Sequence, residues 1–220
     1  MKTYDGYREK CYECYRPKSS CMCEHFEHIQ TRTKFIILMH PKEFKKVKNN
    51  TGHFTHKSLT NAELFIGIDF SDHRRINEII DSHDSYILFP SPNAVNLTSE
   101  KPSLSSKPLA IFLIDSTWAC TRKMFTQSTN LNTLKHMSFV TQRTSAYQIK
   151  EQPRENYLST IESTLVVLEL LKKHDMENIK EEELSGFLNP FLKMVEYQKK
   201  LIENSKTHNV RFIKGRKTEY

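Results

Sequence analysis

The sequence predicts an α/β fold with a mainly parallel sheet covered by helices. Three observations carry that reading. Short apolar runs, several rich in β-branched residues, recur along the chain at strand length. Helical patterns alternate with them, the order that crossover connections of a parallel sheet require. The most apolar runs stop abruptly, at His-Pro, at Pro or at Asp, where a fully buried strand would leave the sheet.

In chain order, residues 34–39 (KFIILM) read as a buried strand that His40-Pro41 ends. Residues 62–68 (AELFIGI) carry a weaker strand pattern. In residues 74–80 (RRINEII), Ile76, Ile79 and Ile80 share one helical face. Residues 85–90 (SYILFP) are a strand closed by proline, and residues 91–108, dense in Pro and Ser, read as a loop. Residues 109–114 (LAIFLI) are the most apolar strand, and Asp115 follows at once. Residues 136–140 (HMSFV) are a further strand. Residues 159–174 (STIESTLVVLELLKKH) carry a helix signature. Ser159 stands at the N-cap with Glu162 three places on, Ile161, Leu165, Leu168 and Leu171 form a stripe, and Lys172, Lys173 and His174 suit the last turn. Residues 184–202 read as one or two amphipathic helices around Pro190. The resulting organisation is a cysteine-rich segment over 1–30, an α/β domain over 31–175, a helical extension over 176–205 and a basic tail over 206–220.

Charge narrows the partners. Among 220 residues, 33 Lys+Arg against 26 Asp+Glu leave +7, which suits either a polyanion or a solvated surface. No apolar run approaches the roughly 20 residues that span a bilayer. The first residues lack the apolar stretch of a secretory signal. A cytoplasmic location with reduced thiols is the expectation.

That setting governs the cysteines. In CYECYRPKSSCMC, Cys11, Cys14, Cys21 and Cys23 fall within thirteen residues. Four thiolates can close a tetrahedral site around Zn²⁺, with an iron–sulfur cluster as the lesser alternative. A site closed by four protein ligands leaves no open position, so its expected role is structural. Cys120 sits apart and reads as a packing residue.

In open α/β sheets, ligands sit beyond the carboxyl ends of the strands. Asp115 is at such an end, and His40 and Pro90 follow two others. Asp115 either caps a following helix or faces the crevice. Trp118, the single tryptophan, either packs in the core or walls a pocket.

Several stretches taken together identify a family. The chain resembles the DTW-domain proteins, aminocarboxypropyltransferases that modify uridine in tRNA. The motif that names the family is Asp115-Ser116-Thr117-Trp118, followed by Arg122-Lys123-Met124. The paired cysteines match in order, as do HPKE at 40–43, NTGHFTHKSL at 50–59, LFP at 88–90, TSAYQIK at 144–150 and YLSTIE at 157–162. The resemblance spans roughly residues 11–172. The family often has Gly where Ser91 stands, and favours Arg near the positions of Gln148 and Lys150.

The resemblance implies a fold related to the knotted SPOUT-like RNA methyltransferases, with a zinc-binding amino-terminal segment. It implies S-adenosylmethionine as donor of a 3-amino-3-carboxypropyl group, N3 of a uridine in tRNA as acceptor, and 5′-methylthioadenosine as product. Uridine N3 must lose its proton to attack, so Asp115 is the candidate base or orienting group, its pKa raised by apolar surroundings. Thr117 and Trp118 accompany it as catalytic candidates. Phe89, Pro90, Ser91, Tyr147, Ser159, Thr160 and Glu162 are candidates for the donor, although Glu162 equally suits the capping box. His40, Glu43, Asn50, Thr51 and Gly52 are candidates for the acceptor, the last three read as a tight turn. Arg122 and Lys123, and in the tail Arg211, Lys214, Arg216 and Lys217, are candidates for RNA phosphates or a solvated face. An S-adenosylmethionine-dependent RNA methyltransferase and a non-catalytic zinc-bearing RNA-binding protein are the competing readings.

Overall fold

The computed structural model describes residues 9–14, 16–45, 50–147 and 157–207. Gln148, Lys150 and the four basic tail residues lie outside the described residues.

Among the described residues, six parallel strands form one sheet: β1 (Lys34–Met39), β2 (Ala62–Ile66), β3 (Asp84–Leu88), β4 (Val95–Asn96), β5 (Leu109–Asp115) and β6 (Lys135–Ser138). Their order is β2-β1-β5-β3-β6-β4. The helices are α1 (Pro41–Phe44), α2 (Thr51–Ser58), α3 (Arg74–Ser82), α4 (Trp118–Gln127), α5 (Thr160–Lys173), α6 (Glu181–Gly186) and α7 (Asn189–Thr207).

Strands β1 and β5 are apolar except for Lys34 and Asp115 at their ends because both faces are covered. Along β1, Phe35 and Ile37 point into one core while Ile36 and Leu38 point into the other. In β5, Ile111 and Leu113 join the first core, and Ala110 and Phe112 the second. This two-fold alternation is the period of a strand. The first core takes Phe54 from α2, Ile161, Leu165 and Leu168 from α5, and Phe191, Met194 and Val195 from α7. It also takes Met22 and Ile29, so the cysteine-rich segment and the helical extension share one apolar interior with the sheet. The second core takes Ile76 and Ile79 from α3 and Met124 from α4.

The strand and helix expectations hold with shifted ends, and three local readings change. Asn50, Thr51 and Gly52 do not form a tight turn. Asn50 caps α2, its amide oxygen accepting the His53 N–H at 2.9 Å. The stretch 91–108 contains β4, whose two residues pair with β6. Pro41 ends β1 but also starts α1, where a missing N–H costs nothing. Pro190 likewise falls in the first turn of α7.

The edge strand β2 is fastened by charge. Glu63 receives Arg75 of α3 in a two-pronged contact, at 3.1 and 2.7 Å, and Lys34 of β1 at 2.9 Å. Arg75 above all, then Lys34, hold the Glu63 carboxyl down to about 2. A depressed carboxylate stabilises the fold above its unfolded value, and that stabilisation is lost as pH falls through the folded value. Glu63→Gln should therefore cost about 1–2 kcal/mol at neutral pH, a figure reduced for solvent screening. Urea unfolding at pH 7, 4 and 2.5 should show the gap to wild type closing on acidification. A gap that does not change with pH would show that the contact contributes packing alone.

Candidate active site

The strand order sets the crevice. After β1 the chain leaves through α2 toward β2 at one edge, and after β5 it leaves through α4 toward β6 on the other side. The two neighbours therefore diverge at their carboxyl ends, where a parallel sheet opens its ligand crevice. Met39 and Asp115 pair there, and the His40 N–H donates to the Asp115 carbonyl at 3.1 Å.

Asp115 is the last residue of β5, and its side chain is buried at 9% exposure. It is not the cap of α4. Thr117 is, with its hydroxyl accepting the Cys120 N–H at 3.4 Å. The Asp115 carboxylate instead meets α5, where the Thr160 hydroxyl donates to Oδ1 at 2.9 Å. The first turn of α2 presses on it from another side. A Cβ placed on Gly52 would come within 2.8 Å of Asp115 Cγ and 3.0 Å of Met39 Cε. Only glycine lets that backbone approach so closely. The amino ends of two helices thus meet at one carboxylate, and each such end favours a negative charge.

Around this centre the other candidates divide. Trp118 opens α4 and is 42% exposed, so a ligand can reach it. Its ring lies 5.3 Å from Tyr157 and 5.9 Å from Phe89, forming an aromatic wall that Phe125 extends at 4.9 Å from Phe89. Pro90 is exposed and Ser91 half-buried beside Phe89. His40 caps α1, its Nδ1 accepting the Lys42 N–H at 3.1 Å. Burial, with the charges of Lys42 and Lys123, pushes the His40 pKa down, so the ring is neutral at pH 7. Arg122 and Lys123 are exposed on α4.

Other nominated side chains are engaged within the chain. The Asn50 amide also donates to the Glu43 carbonyl at 3.2 Å, and Thr51 is buried in α2. Glu162 is only 5% exposed and accepts four bonds. The donors are Ser145 Oγ at 2.8 Å, the Ala146 N–H at 2.7 Å, the Ser159 N–H at 2.8 Å and Ser159 Oγ at 2.5 Å. Tyr147 is buried edge-on against Phe191, 5.4 Å away. Burial first, then the charges of Glu43 and Asp115, push its hydroxyl up to about 12.

The family model of the DTW domain matches residues 8–199. This chain belongs to the DTW-domain family. The tRNA-uridine aminocarboxypropyltransferase 2 of Drosophila melanogaster is 30% identical over 172 residues, covering 75% of this chain and 67% of that protein. The protein of the same name from Mus musculus is 29% identical over 173 residues, covering 76% of this chain and 58% of its own length. The chain thus spans under two thirds of the mouse relative. No solved structure matches it. No helix among the described residues is long and apolar enough to cross a membrane.

Sequence reasoning about this DTW domain assigned no role to Tyr157 or Lys42. Tyr157 stands two places before the Ser159 cap, which is the signal that the start of α5 would bring it to the crevice.

The cysteines of the DTW domain can hold one metal ion. Their four Sγ atoms lie within 4.8 Å of one another, with Cys11–Cys23 at 3.6 Å and Cys14–Cys21 at 3.7 Å. A tetrahedral tetrathiolate with metal–sulfur bonds of about 2.3 Å has edges of about 3.8 Å, so the residues fit such an ion. The N–H groups of Cys14 and Glu13 hold the Cys11 thiol down to about 6, while burial pushes Cys23 up. This segment rests on α2. Phe26 meets Phe54 edge-on at 5.7 Å, the buried Arg16 guanidinium lies 5.7 Å from the same ring, and the Ile29 N–H donates to the Ser58 carbonyl at 2.9 Å. The cysteine-rich segment therefore braces the helix whose other end touches Asp115.

Two expectations follow from α2. Gly52→Ala should destabilise by roughly 1–3 kcal/mol through overpacking against Asp115 and Met39, despite alanine's better helix propensity. Urea melts measure this, and unchanged or raised stability would place α2 farther from the carboxylate. Elemental analysis should find one metal ion per chain, and chelation or Cys14→Ser should lower Tm by several degrees. A demetallated protein with unaltered Tm would separate the loop from the fold.

Proposed function

We propose that this DTW domain transfers the 3-amino-3-carboxypropyl group of S-adenosylmethionine to N3 of a uridine in tRNA, releasing 5′-methylthioadenosine. The observation that carries the reading is the Asp115 carboxylate, buried at the end of β5 and anchored by Thr160, with a half-exposed Trp118 three residues on. The relatives' shared name supports the reaction class. A cytoplasmic location, a zinc ion in the cysteine loop and a relation to the knotted SPOUT-like fold belong to the same proposal. The parallel sheet agrees with the last of these.

The donor brings an electrophilic carbon on a sulfonium, so its leaving group departs as a neutral thioether and no metal is required. The chain supplies position and a proton acceptor. Trp118, with Phe89 and Tyr157 tilted against it, offers an exposed indole on which an aromatic base stacks. Pro90 and Ser91 border the same wall. Asp115 accepts the N3 proton, leaving on N3 the electron pair that forms the new N–C bond. His40, neutral, stands beside it at the end of β1. Arg122, Lys123 and Lys42 present cations at the mouth, where RNA phosphates pass. The target uridine leaves its stack to reach a buried carboxylate.

Asp115→Asn keeps the side-chain size and removes the base. With saturating tRNA and donor, single-turnover rates should fall by two orders of magnitude or more, while Tm moves by only a few degrees. Mass spectrometry of nucleosides from the treated tRNA should show the aminocarboxypropyl adduct. A methyl adduct would point to a methyltransferase, and no adduct with tRNA still bound would point to a binding protein. Near wild-type turnover in a folded Asp115→Asn protein would remove Asp115 from the chemistry.

A further inference from the structure

We infer that Thr160 is a positioning residue for the Asp115 carboxylate and not a donor-binding residue, which makes the start of α5 part of the catalytic apparatus. The inference rests on the reading of Asp115 as the proton acceptor.

The argument begins with what a buried carboxylate can do. A carboxylate rotates about its last torsion with little resistance, because that torsion joins an sp³ to an sp² carbon. To take a proton from one ring nitrogen it must present one oxygen in one direction, and a misdirected oxygen forfeits the advantage of proximity. A fixed donor on the other oxygen solves this. Thr160 supplies it, with its hydroxyl 2.9 Å from Oδ1. Because Thr160 is the first residue of α5, its Cα is set by the helix start and not by a loose loop.

That helix start is itself locked. Glu162 closes the capping box by accepting the Ser159 N–H and extends it by accepting from Ser145 Oγ and the Ala146 N–H. Thr164 anchors the next turn by donating its hydroxyl to the Thr160 carbonyl at 2.7 Å. Beyond the helix start, Ile161 and Leu165 are buried in the sheet core. The chain of support thus runs from the core through Glu162 and the helix start to Thr160 and then to Oδ1. Gly52 of α2 lies against the other oxygen, Oδ2, so the helix backbone limits rotation of the carboxylate from that side. A β-branched residue fits the role, because Thr has few χ1 states and its hydroxyl stays where the helix points it. The same geometry explains why Thr160 and Glu162 fall in one short motif. One orients the carboxylate, and the other fixes the turn on which the first stands.

The role predicts a signature that mere packing would not. A hydrogen bond donated to a carboxylate favours its charged form. Thr160→Val preserves shape and removes the hydroxyl, while Thr160→Ser keeps the hydroxyl and removes the methyl. Single-turnover rates of the two variants, with saturating tRNA and S-adenosylmethionine, are to be measured from pH 5 to 9. Thr160→Val should slow turnover by about 10–100-fold, the span of one lost bond to a charged group, and move the acid limb of the profile to higher pH. Thr160→Ser should stay within a few-fold of wild type with an unmoved acid limb. Circular dichroism and donor-binding titration should find both variants folded and close to wild type in donor affinity. If Thr160→Val does not fold, Thr160→Ala read against Thr160→Ser makes the same comparison. An unshifted acid limb in the variant lacking the hydroxyl, or a serine variant as slow as the valine one, would overturn the inference. So would a large loss of donor affinity with the acid limb in place, which returns Thr160 to the donor. Asp115→Asn separates the levels. If it is inactive while Thr160→Val behaves as wild type, only the positioning role fails, whereas an active Asp115→Asn removes both.

Discussion

The architecture turns on keeping a carboxylate buried at the carboxyl end of the central strand β5. An ionised group taken out of water is costly unless donors and favourable dipoles surround it. Much of the local sequence serves that requirement. Thr160 donates to the carboxylate, the first turns of α2 and α5 converge on it, and Gly52 permits the closest of these approaches. The supports need support in turn. Asn50 ties α2 to α1 and to Met39, and Glu162 ties α5 to the segment carrying Ser145 and Ala146. Several polar residues that look like ligand contacts in the sequence are thus committed to placing one acidic group.

A division of labour follows. The residues buried closest to Asp115 hold it in place, while those facing solvent, Trp118 with Pro90, Arg122 and Lys123, remain free to meet a partner. Charge follows the same plan. His40 is buried, while Lys42 and Lys123, whose charges add to burial in pushing its pKa down, are exposed. Under the proposed function, a polyanion reaching this face would meet exposed cations before the buried carboxylate.

The strands β1 and β5 were legible because they are buried on both faces and read as continuous apolar runs. The α5 capping box was legible because it is local. What escaped was decided by contacts distant in sequence. α2 was hidden because Thr51 and Gly52 are weak helix formers, and its stability comes from Phe54 packing on Phe26 and Arg16. For Asp115, the capping role that the sequence offered belongs to Thr117, and its carboxylate meets a partner 45 residues away that no local pattern announces. Tyr157 was passed over because nothing within its own neighbourhood announces Trp118. The strand β4 has two residues, too few to leave a period.

Trp118 has one further consequence. It is the single tryptophan of 220 residues, it stands at the crevice, and aromatic rings flank it. Indole emission from this protein therefore arises from one place, with no background from a second fluorophore of its kind. Nature has put an optical reporter at the crevice, so arrival of any stacking ligand can be followed by the colour and yield of light from the unlabelled chain.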